Sequence, residues 1–143
     1  MKTILFIIAI IGFTGFVAQG QTPTQKKQML EAIIDSGASD EVARNAKKAG
    51  ADKMIALRKK VDLNNDGKME YIVTSYVEPY QPVFVFQLTP SGAKVLFVGG
   101  QSSDIGLSDT RTNGWLDLRY QTADGASGKT HTETLKFNGW KYK

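Results

Sequence analysis

Apolar and polar positions along the chain fall into three regimes. In the first, residues 4–11 with Phe13, Phe16 and Val17 form an apolar stretch behind Lys2, and Ala18 and Gly20 supply small residues around Gln19. A short positive start, an apolar middle and small residues before a cut are the anatomy of a secretory signal peptide. The stretch is shorter than the ~20 residues that cross a bilayer, and Gly12, Thr14 and Gly15 interrupt it. The expectation is a signal peptide over residues 1–20, cleaved before Gln21, and one domain over residues 21–143 with no membrane span.

The second regime has helical spacing. Thr22-Pro23-Thr24-Gln25 has the form of a capping box with proline at the first helical position. Met29, Leu30, Ile33 and Ile34 then recur on one helical face, and Gly37 ends the run. Ser39 opens a second helix, with Asp40 and Glu41 suited to its positive end. Val42, Ala43, Ala46 and Ala49 give it a narrow packing stripe before Gly50.

From Lys53 onward the period is two. Ile55, Leu57 and Val61 alternate with charged or small neighbours, and residues 71–77 are rich in β-branched and aromatic side chains. Further strands are expected over residues 83–88, 94–98, 115–120 and 130–137, with a short last one over 140–142 that returns the C-terminus to the sheet. Asn113-Gly114 and Asn138-Gly139, each followed by tryptophan, are tight-turn signals. Residues 99–112 show little periodicity and read as a surface loop. The fold class is α+β: two short N-terminal helices, then a mostly antiparallel sheet of five to seven strands joined by hairpins.

Composition narrows the chemistry. With no cysteine, thiol catalysis, thiolate zinc sites and disulfides are excluded, and a single histidine cannot build a multi-histidine metal site. The net charge of +4 drops by one when Lys2 leaves with the signal. Lys47-Lys48 and Arg58-Lys59-Lys60 are short runs without interleaved aromatics, so nucleic acid is not an expected partner.

One segment carries chemistry. In Asp62-Leu63-Asn64-Asn65-Asp66-Gly67-Lys68-Met69-Glu70, oxygen-bearing side chains occupy alternate places around a glycine. Calcium takes six to eight oxygens at about 2.3–2.6 Å, and such a loop can aim Asp62, Asn64, Asp66, Glu70 and the backbone carbonyl of Lys68 at one centre. Carboxylates of Asp62, Asp66 and Glu70 brought to within about 4–5 Å would repel by roughly 3 kcal/mol per pair at an effective dielectric near 20. A divalent ion relieves that repulsion. Magnesium, which prefers a rigid octahedron and keeps its water, suits the loop less well. The competing reading is an Asn-Asp-Gly hairpin turn whose acidic residues are simply solvated.

The loop departs from an EF-hand, because Val73 stands where a bidentate glutamate belongs and the flanks read as strands. The run from Val61 to Val73 resembles instead the FG-GAP and VCBS type of extracellular repeat, in which such a loop links two strands around a calcium ion. The resemblance covers residues 53–77 and has no second copy in the chain. It implies a single calcium-loop hairpin in a small bacterial exported protein and carries no activity with it.

Other residues define the alternatives. His131 has candidate partners in Ser102, Ser103 or Ser108 with Asp104 or Asp109, and Asp104, Asp109 and Asp117 offer a carboxylate pair. Trp115, Trp140, Tyr76, Tyr80 and Phe84 are either an aromatic platform or core. The expected function is a secreted or periplasmic, non-catalytic binding or interaction module stabilised by one calcium. Its partner would be another exported protein or an envelope glycan, met through residues 99–112. The alternative is a small extracytoplasmic hydrolase using His131 or a carboxylate pair.

Overall fold

The structure is a computed structural model, and it describes residues 20–100 and 103–143. The expected signal peptide therefore lies almost wholly outside the described residues. Among those described, no helix is long and apolar enough to cross a membrane.

The N-terminal helices form where their caps direct. Thr22 Oγ1 accepts the Gln25 backbone N–H while Gln25 Oε1 accepts the Thr22 N–H, at 3.2 and 2.9 Å, and α1 runs over Pro23–Asp35. Two otherwise unpaired donors are satisfied reciprocally at the point where the ladder cannot reach them. Gln25 Nε2 also donates to the Tyr71 hydroxyl at 3.1 Å, tying the start of the helix to the sheet. Ser39 caps α2, Asp40–Ala49. A four-residue helix, α3 over Ala51–Met54, follows Gly50.

Among the described residues seven strands follow: β1 (Ile55–Val61), β2 (Glu70–Ser75), β3 (Val83–Thr89), β4 (Gly92–Val98), β5 (Asp104–Thr112), β6 (Trp115–Ala123) and β7 (Thr130–Leu135). All pairings are antiparallel, as the hairpin-length connections imply. The strands make two sheets rather than the single sheet expected, β1-β2-β3-β4 and β5-β6-β7. Three layers result: helices, four-stranded sheet, three-stranded sheet. Met29, Leu30, Ile33 and Ala46 pack with Ile55, Tyr71, Val73, Phe84 and Phe86 on one face of the larger sheet. Ile72, Val83, Val85 and Leu96 on its other face pack with Ile105, Leu118, Leu135, Phe137 and Tyr142. β2 is buried along its whole length because both faces are covered.

Residues 99–112 are corrected from a loop to a strand over most of their length, since β5 occupies 104–112. Its alternation is lost because Ser108, Asp109 and Thr110 bulge opposite the single residue Asp117, between the pairs Leu107–Leu118 and Arg111–Leu116. Asn113 (φ 53°) and Gly114 (φ 81°) then make the tight turn into β6. The expected strand over 140–142 reduces to one bridge between Phe137 and Tyr142, yet the Tyr142 N–H donates to Leu96 O at 2.9 Å. The C-terminus thus returns to the rim of β4.

Candidate metal centre

The turn between β1 and β2 is built by its own side chains. Asp62 Oδ1 and Asn64 Oδ1 both accept the backbone N–H of Asp66, at 3.2 and 3.1 Å. Asp62 Oδ2 accepts the Gly67 N–H at 2.9 Å, and Asp66 Oδ1 accepts the Lys68 N–H at 2.8 Å. Asn64 Nδ2 donates to Asp66 Oδ2 at 3.0 Å. Short polar side chains that bond the backbone a few residues on replace ladder bonds in this way. The result gathers Asp62 and Asn64 around the Asp66 amide and ties Asn64 to the Asp66 carboxylate. Gly67, at φ 81°, sits where an L side chain would be strained.

Electrostatics divide the acidic residues into two kinds. Asp66 is exposed, and the Lys68 backbone N–H holds its carboxyl below the usual range; Asn64 and the Lys68 charge assist against slight desolvation. Glu70 opens β2 on the face shared with Ile72, and its side chain turns inward to 0% exposure. Its Oε2 accepts the Leu63 N–H at 2.8 Å and its Oε1 accepts from Gln87 Nε2 at 3.4 Å. Burial pushes its carboxyl upward. The Leu63 N–H opposes that rise, and the charges of Asp66 and Asp62 add to it.

Among the described residues no three His, Cys, Asp or Glu side chains form a metal-holding group. Asp62 and Asp66 stand in the turn, and the Glu70 carboxyl is buried at its base. A carboxylate offers about four acceptor positions. Asp62 and Asp66 each receive two hydrogen bonds. Asp62, Asn64 and Asp66 therefore keep lone pairs, and an all-oxygen set of this kind suits a hard cation.

Arg111 on β5 grips this turn and carries no sequence signal. Its Nη1 donates to Leu63 O and Gly114 O, and its Nη2 to Asn65 Oδ1, each at 3.0 Å. The Leu116 N–H adds a 2.7 Å bond to Leu63 O. The contacts with Leu63 and Asn65 join residues more than 40 positions apart, which no local spacing encodes.

A second buried polar group lies on β6. Asp117 is 2% exposed; its Oδ2 accepts the Thr110 hydroxyl at 2.7 Å, and its Oδ1 is buried without a hydrogen-bond partner among the described residues. The Tyr142 hydroxyl donates to Leu116 O at 2.8 Å. Burial, then the charges of Glu70 and Asp117, push this phenol far above its usual value, with Arg111 opposing.

The other candidate residues are dispersed. His131 is exposed on β7 opposite Thr122, whereas Ser108 lies in the β5 bulge on the far side of β6. Two strand spacings alone separate them by about 9–10 Å. Ser103 is buried and donates to Gly100 O at 2.6 Å, and Ser102 lies outside the described residues. Asp104 is exposed and pairs with Arg58 at 3.0 Å; Asp109 is exposed in the bulge. Trp115 stacks on Phe137 with centroids 4.1 Å apart, and Phe84 stacks on Phe86 at 5.5 Å, in two different cores. Only Trp140, Tyr76 and Tyr80 of the five aromatics are exposed, so they do not form one platform.

Comparison with known proteins returns no match: no family model, no curated protein and no solved structure is similar to this chain.

Proposed function

We propose that the chain is an exported, non-catalytic interaction module whose first hairpin is stabilised by one calcium ion. The observation that carries this reading is that Asp62 and Asn64 both accept the Asp66 N–H while Asn64 Nδ2 donates to the Asp66 carboxylate, which gathers three oxygen-bearing side chains from alternate positions of one turn. Asp62, Asn64, Asp66 and the Lys68 carbonyl would hold the ion, and Glu70 holds the neck of the turn by accepting from Leu63. When bound, the ion supplies charge neutralisation at a bend that already carries two carboxylates. Its effect reaches the second sheet through Arg111, which bonds Leu63 O and Asn65 Oδ1. The separation of His131 from Ser108 supports a binding role over a hydrolytic one. The partner class is another exported protein or an envelope glycan.

Thermal unfolding in calcium against chelator tests the reading. With an affinity of 0.1–1 mM, typical of extracellular modules, about 1 mM calcium adds roughly 0.4–1.4 kcal/mol. For a domain of this size that raises Tm by a few degrees, of order 2–5 °C. Asp66→Asn keeps an oxygen for the Lys68 N–H but removes the charge, and it should abolish the difference while preserving the fold. Identical wild-type melts with and without calcium sink the proposal.

A further inference from the structure

Each sheet has two rims, and three of the four are blunted. β1 carries Arg58, Lys59 and Lys60 and breaks register between Leu57 and Lys59. The outer side of β4 receives the Tyr142 N–H at Leu96 O. β5 bulges over Ser108, Asp109 and Thr110. Lysine, bulges and covering segments are the devices by which natural sheets prevent rim-to-rim pairing.

β7 has none of them. Its register with β6 runs unbroken from Leu118–Leu135 to Ala123–Thr130, residues 130–134 are all exposed, and no strand lies beyond it among the described residues. Its sequence Thr130-His131-Thr132-Glu133-Thr134 is also complementary to itself. When two copies pair antiparallel about Thr132, His131 of each faces Glu133 of the other, Thr130 faces Thr134, and Thr132 faces Thr132. An imidazole N–H donates to a carboxylate, and threonine pairs hydrogen-bond across strands. Slipping the centre to Glu133 sets two glutamates against each other, and slipping it to His131 sets two imidazoles against each other and puts Glu133 opposite Lys129, which lies before the strand begins.

We infer that β7 is the self-association rim of this protein, joining two copies through an antiparallel β7–β7 pair into one six-stranded sheet with two-fold symmetry. The contact is isologous, so each favourable pair occurs twice and the assembly closes at two. A second copy is favoured over a foreign strand because the charge pattern answers itself.

Sedimentation of the exported, processed chain from micromolar to millimolar concentration tests this. The wild type should shift to twice the monomer mass, and exchange of the amides of residues 130–134 should slow as concentration rises. Glu133→Lys sets lysine against His131, and His131→Glu sets glutamate against Glu133. Each should raise the dissociation midpoint by about tenfold or more, since two pairs are lost at once. The double variant His131→Glu with Glu133→Lys restores complementarity and should restore the dimer, with circular dichroism confirming that every variant folds. A wild type that stays monomeric throughout, or single variants that associate as it does, overturns the inference.

Discussion

Leu63 and Glu70 close the neck of the first hairpin: the Leu63 N–H donates to Glu70 Oε2 at 2.8 Å in a fully buried setting. The bond spans seven residues and joins the two ends of the acidic turn. Leu63 itself is buried in the core between the sheets. The turn is therefore held at its base by an interior carboxylate while its tip is exposed.

That arrangement sets the effect of substituting Glu70. Glu70→Ala leaves the buried Leu63 N–H without an acceptor and should cost about 1–3 kcal/mol of stability. Glu70→Gln keeps an oxygen for Leu63 and should cost much less. The pH dependence follows from the raised carboxyl, whose chief cause is burial. A folded-state value above the unfolded one means that the folded form holds the proton more tightly. As pH falls from neutrality through the folded value toward the unfolded one, wild type gains stability relative to Glu70→Gln. Urea unfolding of both proteins at neutral pH and near pH 4 measures the change; a gap that stays constant, or moves the other way, contradicts an inward, desolvated Glu70.

Arg111 offers a separate test of how the second sheet holds the turn. Arg111→Ala removes donors to Leu63 O, Gly114 O and Asn65 Oδ1. Leu63 O keeps the Leu116 N–H, so no buried carbonyl is orphaned there. The loss should be moderate, about 1–2 kcal/mol, because each net hydrogen bond contributes of order 1 kcal/mol and charged donors somewhat more. Amide exchange should quicken over residues 63–67 and leave α1 unchanged. Arg111→Lys should not rescue it, since one ammonium cannot reproduce the fork that reaches three acceptors. Rescue by lysine would show that charge, not geometry, matters.

How much of this was legible in the sequence depends on range. The Thr22–Gln25 capping box and the Asn113-Gly114 turn involve neighbours in the chain, and local chemistry identifies them. The split into two sheets was not legible, because alternation tells which positions are buried and not what covers them: Ile72 and Val73 look alike, yet one meets the second sheet and the other the helices. The β5 strand was hidden because its bulge interrupts the alternation that marks strands. The inward turn of Glu70 did leave a signal, since it stands two residues before Ile72 on the same strand face. Arg111 left none, because its acceptors are backbone carbonyls and an asparagine brought near only by the packing of the sheets.

Gly99 reports on the junction between the sheets. A Cβ built there would lie 2.8 Å from Tyr120 Cε2 and 2.9 Å from Ser103 Oγ, with Phe97 Cε1 at 3.2 Å. Tyr120 is held in place by the Gly100 N–H, which donates to its hydroxyl at 2.7 Å, and by edge-on contact with Phe97. The ring cannot withdraw without breaking both. Gly99→Ala should therefore cost about 1–3 kcal/mol, the usual penalty of overpacking. Combining it with Tyr120→Ala should cost less than the sum of the two single changes, because the closest contact disappears with the ring and only the one with Ser103 Oγ stays below 3.0 Å. Simple additivity in denaturant unfolding would count against the contact.

Asp117 holds a carboxylate oxygen that is buried without a hydrogen-bond partner among the described residues, while its neighbour accepts from Thr110. A buried charge lacking full hydrogen bonding is costly, and replacing it by a neutral group of the same shape is commonly neutral or stabilising. Asp117→Asn keeps an oxygen for the Thr110 hydroxyl and exchanges the unpaired oxygen for an amide, so it should equal or exceed wild type at neutral pH. Asp117→Ala removes the acceptor and opens a gap, and should cost about 1–3 kcal/mol. A second readout separates charge from shape. The Tyr142 phenol is pushed up first by burial, then by the charges of Glu70 and Asp117. In Asp117→Asn its titration should move down part of the way, because burial and Glu70 remain. Alkaline titration of tyrosinate absorbance, with Tyr142→Phe subtracted to isolate this residue, measures the shift. If Asn destabilises as much as Ala and Tyr142 does not move, Asp117 does not act as a charge facing that hydroxyl.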